Sequence, residues 1–125
     1  MALILIIDDS AFQRRLLRKL IELQGHTVIE ASNGNEGLNL IITQSPDCVF
    51  LDLIMPESDG FELLETLQQQ NSKIPVVVVT ADVQTSTHKQ CLQLGAAAIV
   101  NKPVNSDTLQ KTLLKIVGPN RESES

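Results

Sequence analysis

The sequence predicts an α/β domain in which one five-stranded parallel sheet carries helices on both faces. Short apolar segments rich in β-branched residues recur along the 125 residues, and a helical pattern of leucines and isoleucines follows them. The connections are short, and right-handed crossovers then place helices on both faces of one sheet. The apolar segments are almost continuously hydrophobic, which is typical of strands buried on both faces.

The first part of the chain contains two strand–helix units. Residues 3–7 form an apolar strand, after which Ser10 can cap a helix that ends at Gly25. The apolar residues of this helix recur at helical spacing, whereas its basic residues favour solvent: Arg14, Arg15, Arg18 and Lys19. Residues 26–31 form a second strand. Asn33 can cap the second helix, which Gly37 weakens by about 1 kcal/mol relative to alanine.

Three further units complete the pattern. The strand at 48–51 is followed by a loop at 53–58 and by a helix that Asp59 can cap. A strand at 76–79 precedes the weakest helix, at about 83–94, because residues 85–87 are poor helix formers. A short strand at 97–100 precedes the last helix, which starts at residue 106. We expect one domain over residues 1–118 and a polar, disordered tail over residues 119–125.

Composition limits the classes of function. A chain that is 42% hydrophobic and 20% charged fits a single globular domain. The formal net charge of -5 argues against nucleic-acid or anionic-membrane partners. No segment has the length of a membrane span, and the N-terminal apolar run lacks the features of a signal peptide. Cys48 and Cys91 have no metal-binding or redox spacing and suit buried thiols in a reducing compartment, so we expect a cytoplasmic protein.

Acidic residues follow two of the predicted strands. Asp8 and Asp9 come directly after the first strand, and Asp52 follows the third. In the flavodoxin-like order 2-1-3-4-5 these two strands are neighbours, so the three carboxylates meet at the switch point of a doubly wound sheet. Thr80 and Lys102 reach the same edge from the next two strands. The sequence therefore predicts a polar site at the carboxyl ends of the strands.

The chemistry of these side chains points to phosphoryl transfer. Carboxylate oxygens are hard ligands that suit Mg²⁺ or Mn²⁺, and a phosphoryl oxygen would complete such a shell. Lys102 and Thr80 could stabilise a transferring phosphoryl group, and Asp52 could act as the nucleophile. Each residue alone also fits a structural role, but their joint placement favours the functional one. His26 and His88 are expected at the surface, far from this edge.

The same residues resemble the receiver domain of bacterial two-component response regulators over residues 3–117. Four motifs carry the resemblance: Ile7-Asp8-Asp9-Ser10, Asp52-Leu53-Ile54-Met55-Pro56 with Asp59-Gly60, Thr80-Ala81, and Lys102-Pro103. The resemblance implies that a histidine kinase or a histidine phosphotransfer protein phosphorylates Asp52. It also implies that Asp8, Asp9, Asp52 and the backbone carbonyl of Ile54 bind Mg²⁺, while Thr80 and Lys102 contact the phosphoryl group.

The resemblance also concerns the conformational change that follows phosphorylation in this family. It implies a cis bond before Pro103, which would aim Lys102 into the site. Ile99 stands where the family usually has Tyr or Phe, and Val104 stands where Phe is frequent. The Ile99 side chain can pack inward or outward, but it has no aromatic ring that could change rotamer. Both positions belong to the face of the fourth helix, fifth strand and fifth helix, which is the family's usual output surface.

The leading hypothesis is a stand-alone, chemotaxis-like response regulator: a phosphoacceptor rather than an enzyme, with self-catalysed phosphorylation and dephosphorylation. It would signal by conformational change to a protein partner. A phosphorelay intermediate and a receiver cut from a longer regulator are alternatives. A small Mg²⁺-dependent phosphatase with an aspartate nucleophile belongs to a different class, but such enzymes usually need an Asp-x-Asp arrangement. A flavin carrier would lack Trp and Tyr to stack on the ring.

Overall fold

The computed structural model describes residues 1–55 and 58–118. Five parallel strands form its main sheet: β1 (Leu3–Ile7), β2 (Thr27–Ala31), β3 (Cys48–Asp52), β4 (Val76–Thr80) and β5 (Ala98–Asn101). The helices between and after them are α1 (Ala11–Leu23), α2 (Gly34–Gln44), α3 (Gly60–Gln69), α4 (Thr85–Gln93) and α5 (Ser106–Val117). The spatial order is β2-β1-β3-β4-β5, so the predicted 2-1-3-4-5 topology is confirmed. None of the described helices has the length and apolar character needed to cross a membrane.

The central strands are buried on both faces, as their continuous hydrophobic character predicts. Alternate side chains of β1 enter different core layers: Leu5 and Ile7 pack with α2, α3 and α4, whereas Ile4 and Ile6 pack with α1 and α5. All five residues of β3 are buried. The sheet therefore separates two hydrophobic layers, and polar groups of its central strands reach solvent only at the strand ends.

Side chains cap three of the helices. The Ser10 hydroxyl accepts a hydrogen bond from the Gln13 backbone N–H at 3.2 Å, and the Asn33 side chain accepts one from the Glu36 N–H at 2.8 Å. Both predicted caps are confirmed. Asn105 caps α5 in the same way. The caps fix where α1 and α2 start, and the start of α1 lies directly after the acidic pair at the end of β1.

The segment after β3 differs from the predicted loop. Ile54–Met55 pairs with Ser58–Asp59 in a short antiparallel ladder. Two-residue strands are too short to produce a recognisable alternation of apolar and polar residues, which is why the sequence pattern missed them. The predicted cap by the Asp59 side chain and the predicted disorder of residues 119–125 both fall outside the described part of the chain.

Gly37 has a packing role that helix propensity alone did not reveal. It is buried in α2, and a Cβ built on it would clash with the Ile7 side chain, whose Cγ1 lies only 2.8 Å away. Glycine therefore lets α2 approach the last residue of β1 closely. The intrinsic cost of glycine in the helix is offset by contact between the helix and the sheet.

Candidate functional site

The three predicted acidic residues do meet at one edge of the sheet. Asp8 follows β1, Asp52 ends β3, and the register pairs Ile7 with Leu51 just before them. One carboxylate oxygen from each of Asp8, Asp9 and Asp52 lies within 4.8 Å of the others. Asp8 and Asp52 are buried, at 5% and 7% exposed, and Asp9 is exposed. A cation can thus approach from the side of Asp9 and contact two otherwise buried carboxylates.

Local structure holds the Asp8 carboxylate in place. Its backbone N–H donates to the Ala31 carbonyl at 3.1 Å, which continues the pairing of β1 with β2 beyond the last strand residue. Its Oδ1 accepts a hydrogen bond from the Ser10 N–H at 2.8 Å. Because Ser10 also caps α1, the helix start and the acidic edge form one local unit.

Lys102 supplies the positive charge that the sequence predicted at this edge. Its Nζ lies 3.3 Å from Asp52 Oδ1 and 3.8 Å from Asp8 Oδ2, and the side chain is 23% exposed. Its backbone N–H donates to the Thr80 carbonyl. The bond to Pro103 is cis, as expected. One lysine thus contacts two of the three carboxylates, which leaves the cluster with an excess of negative charge.

Thr80 connects the site to α4. It ends β4, which pairs with β3, and it is 2% exposed. Its hydroxyl oxygen accepts a hydrogen bond from the Asp82 N–H at 3.1 Å. The Asp82 carboxylate in turn accepts from the Gln84 N–H at 2.8 Å and from the Thr87 hydroxyl at 2.7 Å. These hydrogen bonds hold the pKa of Asp82 below its usual range.

Asp82 therefore replaces a conventional cap on α4. Gln84 occupies the capping position, but its side chain makes no capping hydrogen bond. The first turn of this polar helix, which the sequence predicted to be the weakest, depends on a residue only two positions after Thr80. A change at Thr80 can thus reach α4 through a single residue.

His26 lies far from the acidic edge, as expected, but it is buried, and His88 contacts the segment that follows Thr80. His26 is 7% exposed, and its Nδ1 accepts a hydrogen bond from the Ala2 N–H at 3.1 Å. The strand predicted at 26–31 begins one residue later, which leaves this imidazole free to cover the N-terminal segment. His88 is partly buried on α4, where its Nε2 lies 3.0 Å from the Asp82 carbonyl oxygen. It therefore contacts the loop that joins Thr80 to α4.

Gly60 was quoted only as part of a motif, but the structure gives it a specific role. Its N–H donates to the Leu53 carbonyl at 3.0 Å. A Cβ at this position would lie 2.6 Å from that carbonyl oxygen and 3.0 Å from the Asp52 carbonyl oxygen. Since backbone atoms cannot move aside as a flexible side chain can, only glycine fits behind Asp52. The signal in the sequence is the Asp59-Gly60 pair at the start of α3.

The arrangement is suited to a hard divalent cation. Three carboxylates converge within the described residues, and none of the groups that could hold a metal there includes His or Cys. Oxygen-only donors favour Mg²⁺ or Mn²⁺ over zinc. Ile54 lies two residues after the end of β3, and its predicted role as a carbonyl ligand stays a prediction. Such a cation would offset the negative charge that one lysine leaves uncompensated.

A cavity of about 350 Å³ opens beside the site, between α1 and the segment that follows β5. Leu16, Leu20, Val104 and Lys102 are among the residues that line it. Phe12 and Leu16 on α1 are 63% and 47% exposed. Exposed apolar side chains this close to a charged site mark a surface that another molecule can cover.

Comparisons with known proteins agree with this geometry. Residues 4–114 match the family model of the response regulator receiver domain. The chain is 37% identical to Protein PilH of Pseudomonas aeruginosa over 115 residues, covering 90% of this chain and 95% of PilH. The solved structure of chemotaxis protein CheY4 from Vibrio cholerae aligns with a TM-score of 0.86 at 28% identity, covering 93% of this chain and 98% of CheY4.

Some relatives are much longer than this chain. Protein-glutamate methylesterase/protein-glutamine glutaminase of Treponema denticola is 37% identical over 123 residues, which cover 91% of this chain but only 33% of that protein. The same fold thus occurs both as nearly the whole of a relative and as one part of a larger relative.

Proposed function

Because the chain belongs to the response regulator receiver domain family, we propose that Asp52 accepts a phosphoryl group from a histidine kinase or a histidine phosphotransfer protein. A receiver domain is a phosphoacceptor signalling module and not a conventional enzyme. The single observation that carries the assignment is the 3.3 Å contact between Lys102 Nζ and Asp52 Oδ1. Of the two buried carboxylates, Asp52 has the closer lysine contact and ends the strand between those that lead to Asp8 and Thr80.

The chemistry follows from the residues around Asp52. A carboxylate oxygen attacks phosphorus, a P–O bond forms, and the P–N bond to the donor imidazole breaks, its electron pair staying on nitrogen. Lys102 and Thr80 donate hydrogen bonds to the phosphoryl oxygens. In dephosphorylation, water attacks phosphorus and the bond to the Asp52 oxygen breaks, with its electron pair staying on that oxygen. Inorganic phosphate leaves and carries the protons of the water. Both steps are self-catalysed.

An acidic cluster of this kind is typical of the Mg²⁺ site of receiver domains. We assign Asp8, Asp9, Asp52 and the Ile54 backbone carbonyl as the residues that would hold Mg²⁺ or Mn²⁺. The bound cation would neutralise charge on the phosphoryl group. Burial of Asp8 and Asp52 supports this assignment, because buried carboxylates at such short distance repel each other, and the single Lys102 ammonium offsets only part of the charge of the three.

Thr80 is the proposed sensor of phosphorylation. Its hydroxyl now accepts the Asp82 N–H, and Asp82 holds the first turn of α4. If the hydroxyl turns toward a phosphoryl oxygen, its hydrogen bond with the Asp82 N–H breaks. Asp82 can then move, and the hydrogen bonds that hold the first turn of α4 change with it. Ile99 lies on β5 beside β4, partly buried against the core, and would repack in place of an aromatic ring.

Two surfaces suit protein partners. Leu16 on α1 lines the cavity beside Lys102, and Phe12 is exposed on the same helix, which supports docking of the phosphodonor there. The signal would leave through the face of α4, β5 and α5, where Leu92 and Leu114 are 55% and 49% exposed. The net charge of -5 gives no support to a nucleic-acid or membrane partner.

We further propose that residues 1–118 form one receiver domain that acts in the cytoplasm as a stand-alone response regulator. The coverage of 95% of PilH supports this view. The low coverage of the Treponema denticola relative keeps a receiver part of a longer regulator as the alternative. A phosphorelay intermediate is the second alternative. The chemotaxis-type output role draws support from the likeness to CheY4.

The central test is phosphorylation by a small donor. The purified chain is incubated with Mg²⁺ and acetyl phosphate, and intact mass spectrometry counts the phosphates added. We expect one phosphate on the wild type and on Asp47→Asn, whose carboxylate lies at the opposite end of the sheet. We expect none on Asp52→Asn. An unmodified wild type, or equal modification of Asp52→Asn, would contradict the proposal.

Two further assays separate the alternatives. Return of phosphate from Asp52 to a histidine phosphotransfer protein would favour a relay intermediate, whereas binding of the phosphorylated form to a target protein would favour an output role. Sustained turnover of a small phosphoester would instead favour an aspartate-nucleophile phosphatase. The adjacent Asp8-Asp9 pair argues against that class, because the usual arrangement is Asp-x-Asp.

A further inference from the structure

Arg14 does not point to solvent as the sequence pattern of α1 suggested. Its side chain is only 17% exposed and lies between α1, β2 and the acidic edge. The Nε donates to Glu30 Oε1 at 3.0 Å, and Nη1 donates to the backbone carbonyl of Asp8 at 2.6 Å. One guanidinium thus joins three elements of the fold at the position where the proposed metal site begins.

We propose that Arg14 is a positioning residue for the metal site, because it fixes the peptide group that joins Asp8 to Asp9. The proposal rests on the proposed function, since it assigns to Arg14 an effect on the cation that the three carboxylates would hold. Nothing in the role requires Arg14 to touch the cation or the phosphoryl group.

The location of the contacted carbonyl is what gives Arg14 its influence. The Asp8 carbonyl belongs to the peptide bond between the two adjacent carboxylate residues, so rotation of this peptide would move both side chains. The other polar groups of Asp8 are already held, the N–H by Ala31 and the carboxylate by the Ser10 N–H. The Arg14 hydrogen bond removes the remaining freedom. Groups that orient metal ligands from behind typically change metal affinity about 10–100-fold when removed.

Glu30 makes this arrangement compatible with cation binding. A lone arginine beside three carboxylates would compete with a divalent cation for their charge, but Arg14 is paired with Glu30. Burial raises the pKa of Glu30, yet hydrogen bonds from Arg18 and Arg14 outweigh it and hold the pKa below its usual range. Glu30 is therefore ionised at neutral pH, and Arg14 can act as a hydrogen-bond donor while its charge is balanced.

Arg18 provides a matched control on the same helix. It donates to the other oxygen of Glu30 and pairs with Glu22, and its side chain is 42% exposed. Its hydrogen bonds in the described part of the chain go to these two glutamates. Arg14 and Arg18 thus share a charge, a helix and a partner, and they differ in the contact to the Asp8 carbonyl.

The test measures Mg²⁺ binding directly, by titrating the full chain with Mg²⁺ and following backbone amide shifts by NMR. For Arg14→Ala we expect the Mg²⁺ dissociation constant to rise about tenfold. For Arg18→Ala we expect it to stay within about twofold of wild type. Phosphorylation of Arg14→Ala by acetyl phosphate should recover at saturating Mg²⁺, because the defect lies in binding and not in the chemical step.

A second variant covers the case in which Arg14→Ala does not fold. Arg14→Lys keeps the charge, but a single ammonium cannot donate to both Glu30 and the Asp8 carbonyl in the same planar geometry. We expect an intermediate rise in the dissociation constant. Wild-type affinity in a folded Arg14 variant would overturn the proposal, and so would equal weakening by Arg14→Ala and Arg18→Ala. If wild type itself binds no Mg²⁺, the proposed function fails as well.

Discussion

Polar groups are paired with one another at the amino end of the parallel sheet, whereas like charges are clustered at its carboxyl end. At the amino end, the Ala2 N–H donates to His26 Nδ1 and the Leu3 N–H donates to Asp47 Oδ2. The Asp47 N–H returns a hydrogen bond to the Leu3 carbonyl at 2.7 Å. At the carboxyl end, three carboxylates converge and one lysine contacts two of them.

This difference separates stability from function within one small domain. At the amino end, the polar groups pair mainly with one another and with the backbone. The carboxyl end keeps like charges close together, which costs stability until a cation binds. We therefore expect substitutions at the two ends to be distinguished by whether they change ligand binding or only the free energy of unfolding.

The largest difference should appear in the stabilisation by Mg²⁺. At a concentration about 100 times the dissociation constant, Mg²⁺ should raise the free energy of unfolding of the wild type by about 2.7 kcal/mol. Asp52→Asn should lose most of this gain, and Asp47→Asn should keep it. Urea unfolding with Mg²⁺ and with a chelator measures both. Equal gains in the two variants would remove the distinction between the two ends.

Gly60→Ala should damage the carboxyl end through the backbone. The new Cβ would clash with the Leu53 and Asp52 carbonyl oxygens, so we expect a loss of about 1–3 kcal/mol in unfolding free energy and slower phosphorylation of Asp52. Gly37→Ala is the comparison variant: its Cβ would clash with the Ile7 side chain and not with the backbone around Asp52, so phosphorylation of Asp52 should stay normal. Unfolding and acetyl phosphate assays on both variants test this. Equal losses, with normal phosphorylation of Gly60→Ala, would contradict the explanation.

Asp47→Ala should affect the amino end alone. It removes the acceptor of the Leu3 N–H, whose hydrogen bond is 2.7 Å long, in an exposed position where water can partly replace it. We expect a loss of about 1 kcal/mol in the free energy of unfolding. The rate of phosphorylation at Asp52 should equal that of wild type. A reduced rate in a fully folded variant would show that the two ends are coupled.

The smallest effect concerns pH. Burial, with the N-terminal ammonium, lowers the pKa of His26 below its ordinary 6.5, although Asp47 opposes the shift. The unfolded chain therefore binds the proton first, and stability should fall as pH drops below about 6.5, whereas above it this contribution is constant. The lowered pKa of Glu30 affects the pH dependence of stability only below pH 4.5, the ordinary pKa of a glutamate. Urea unfolding of His26→Gln between pH 7 and pH 5.5 should show a flatter dependence than wild type.

Much of the site could be predicted because its signals are local. Runs of apolar residues mark the strands, and Asp8, Asp52 and Thr80 stand at their ends, so the topology alone brings them to one edge. The cis bond before Pro103 is confirmed, but it followed from the family resemblance and not from physical reasoning on the residues.

The features that the sequence analysis missed depend on partners far along the chain. Arg14 is drawn out of solvent by Glu30, 16 positions away, and His26 is buried against Ala2, 24 positions away. Helical periodicity places a basic residue on the polar face, but it carries no information about an acidic residue on the adjacent strand. The same holds for Gly60, whose need for glycine comes from the carbonyl groups of another segment.

The burial of both cysteines has a practical consequence for labelling chemistry. Cys48 and Cys91 are 0% exposed, and burial raises the pKa of Cys48 to about 12 and that of Cys91 in the same direction. Thiol reagents react with the thiolate, so neither should compete for a maleimide dye. A cysteine introduced at Val83, which is 70% exposed next to Asp82, would then be the single reactive thiol. A dye at this position would report on the loop after Thr80. Because the chain contains no Trp or Tyr, no intrinsic fluorescence from those residues would add to the signal.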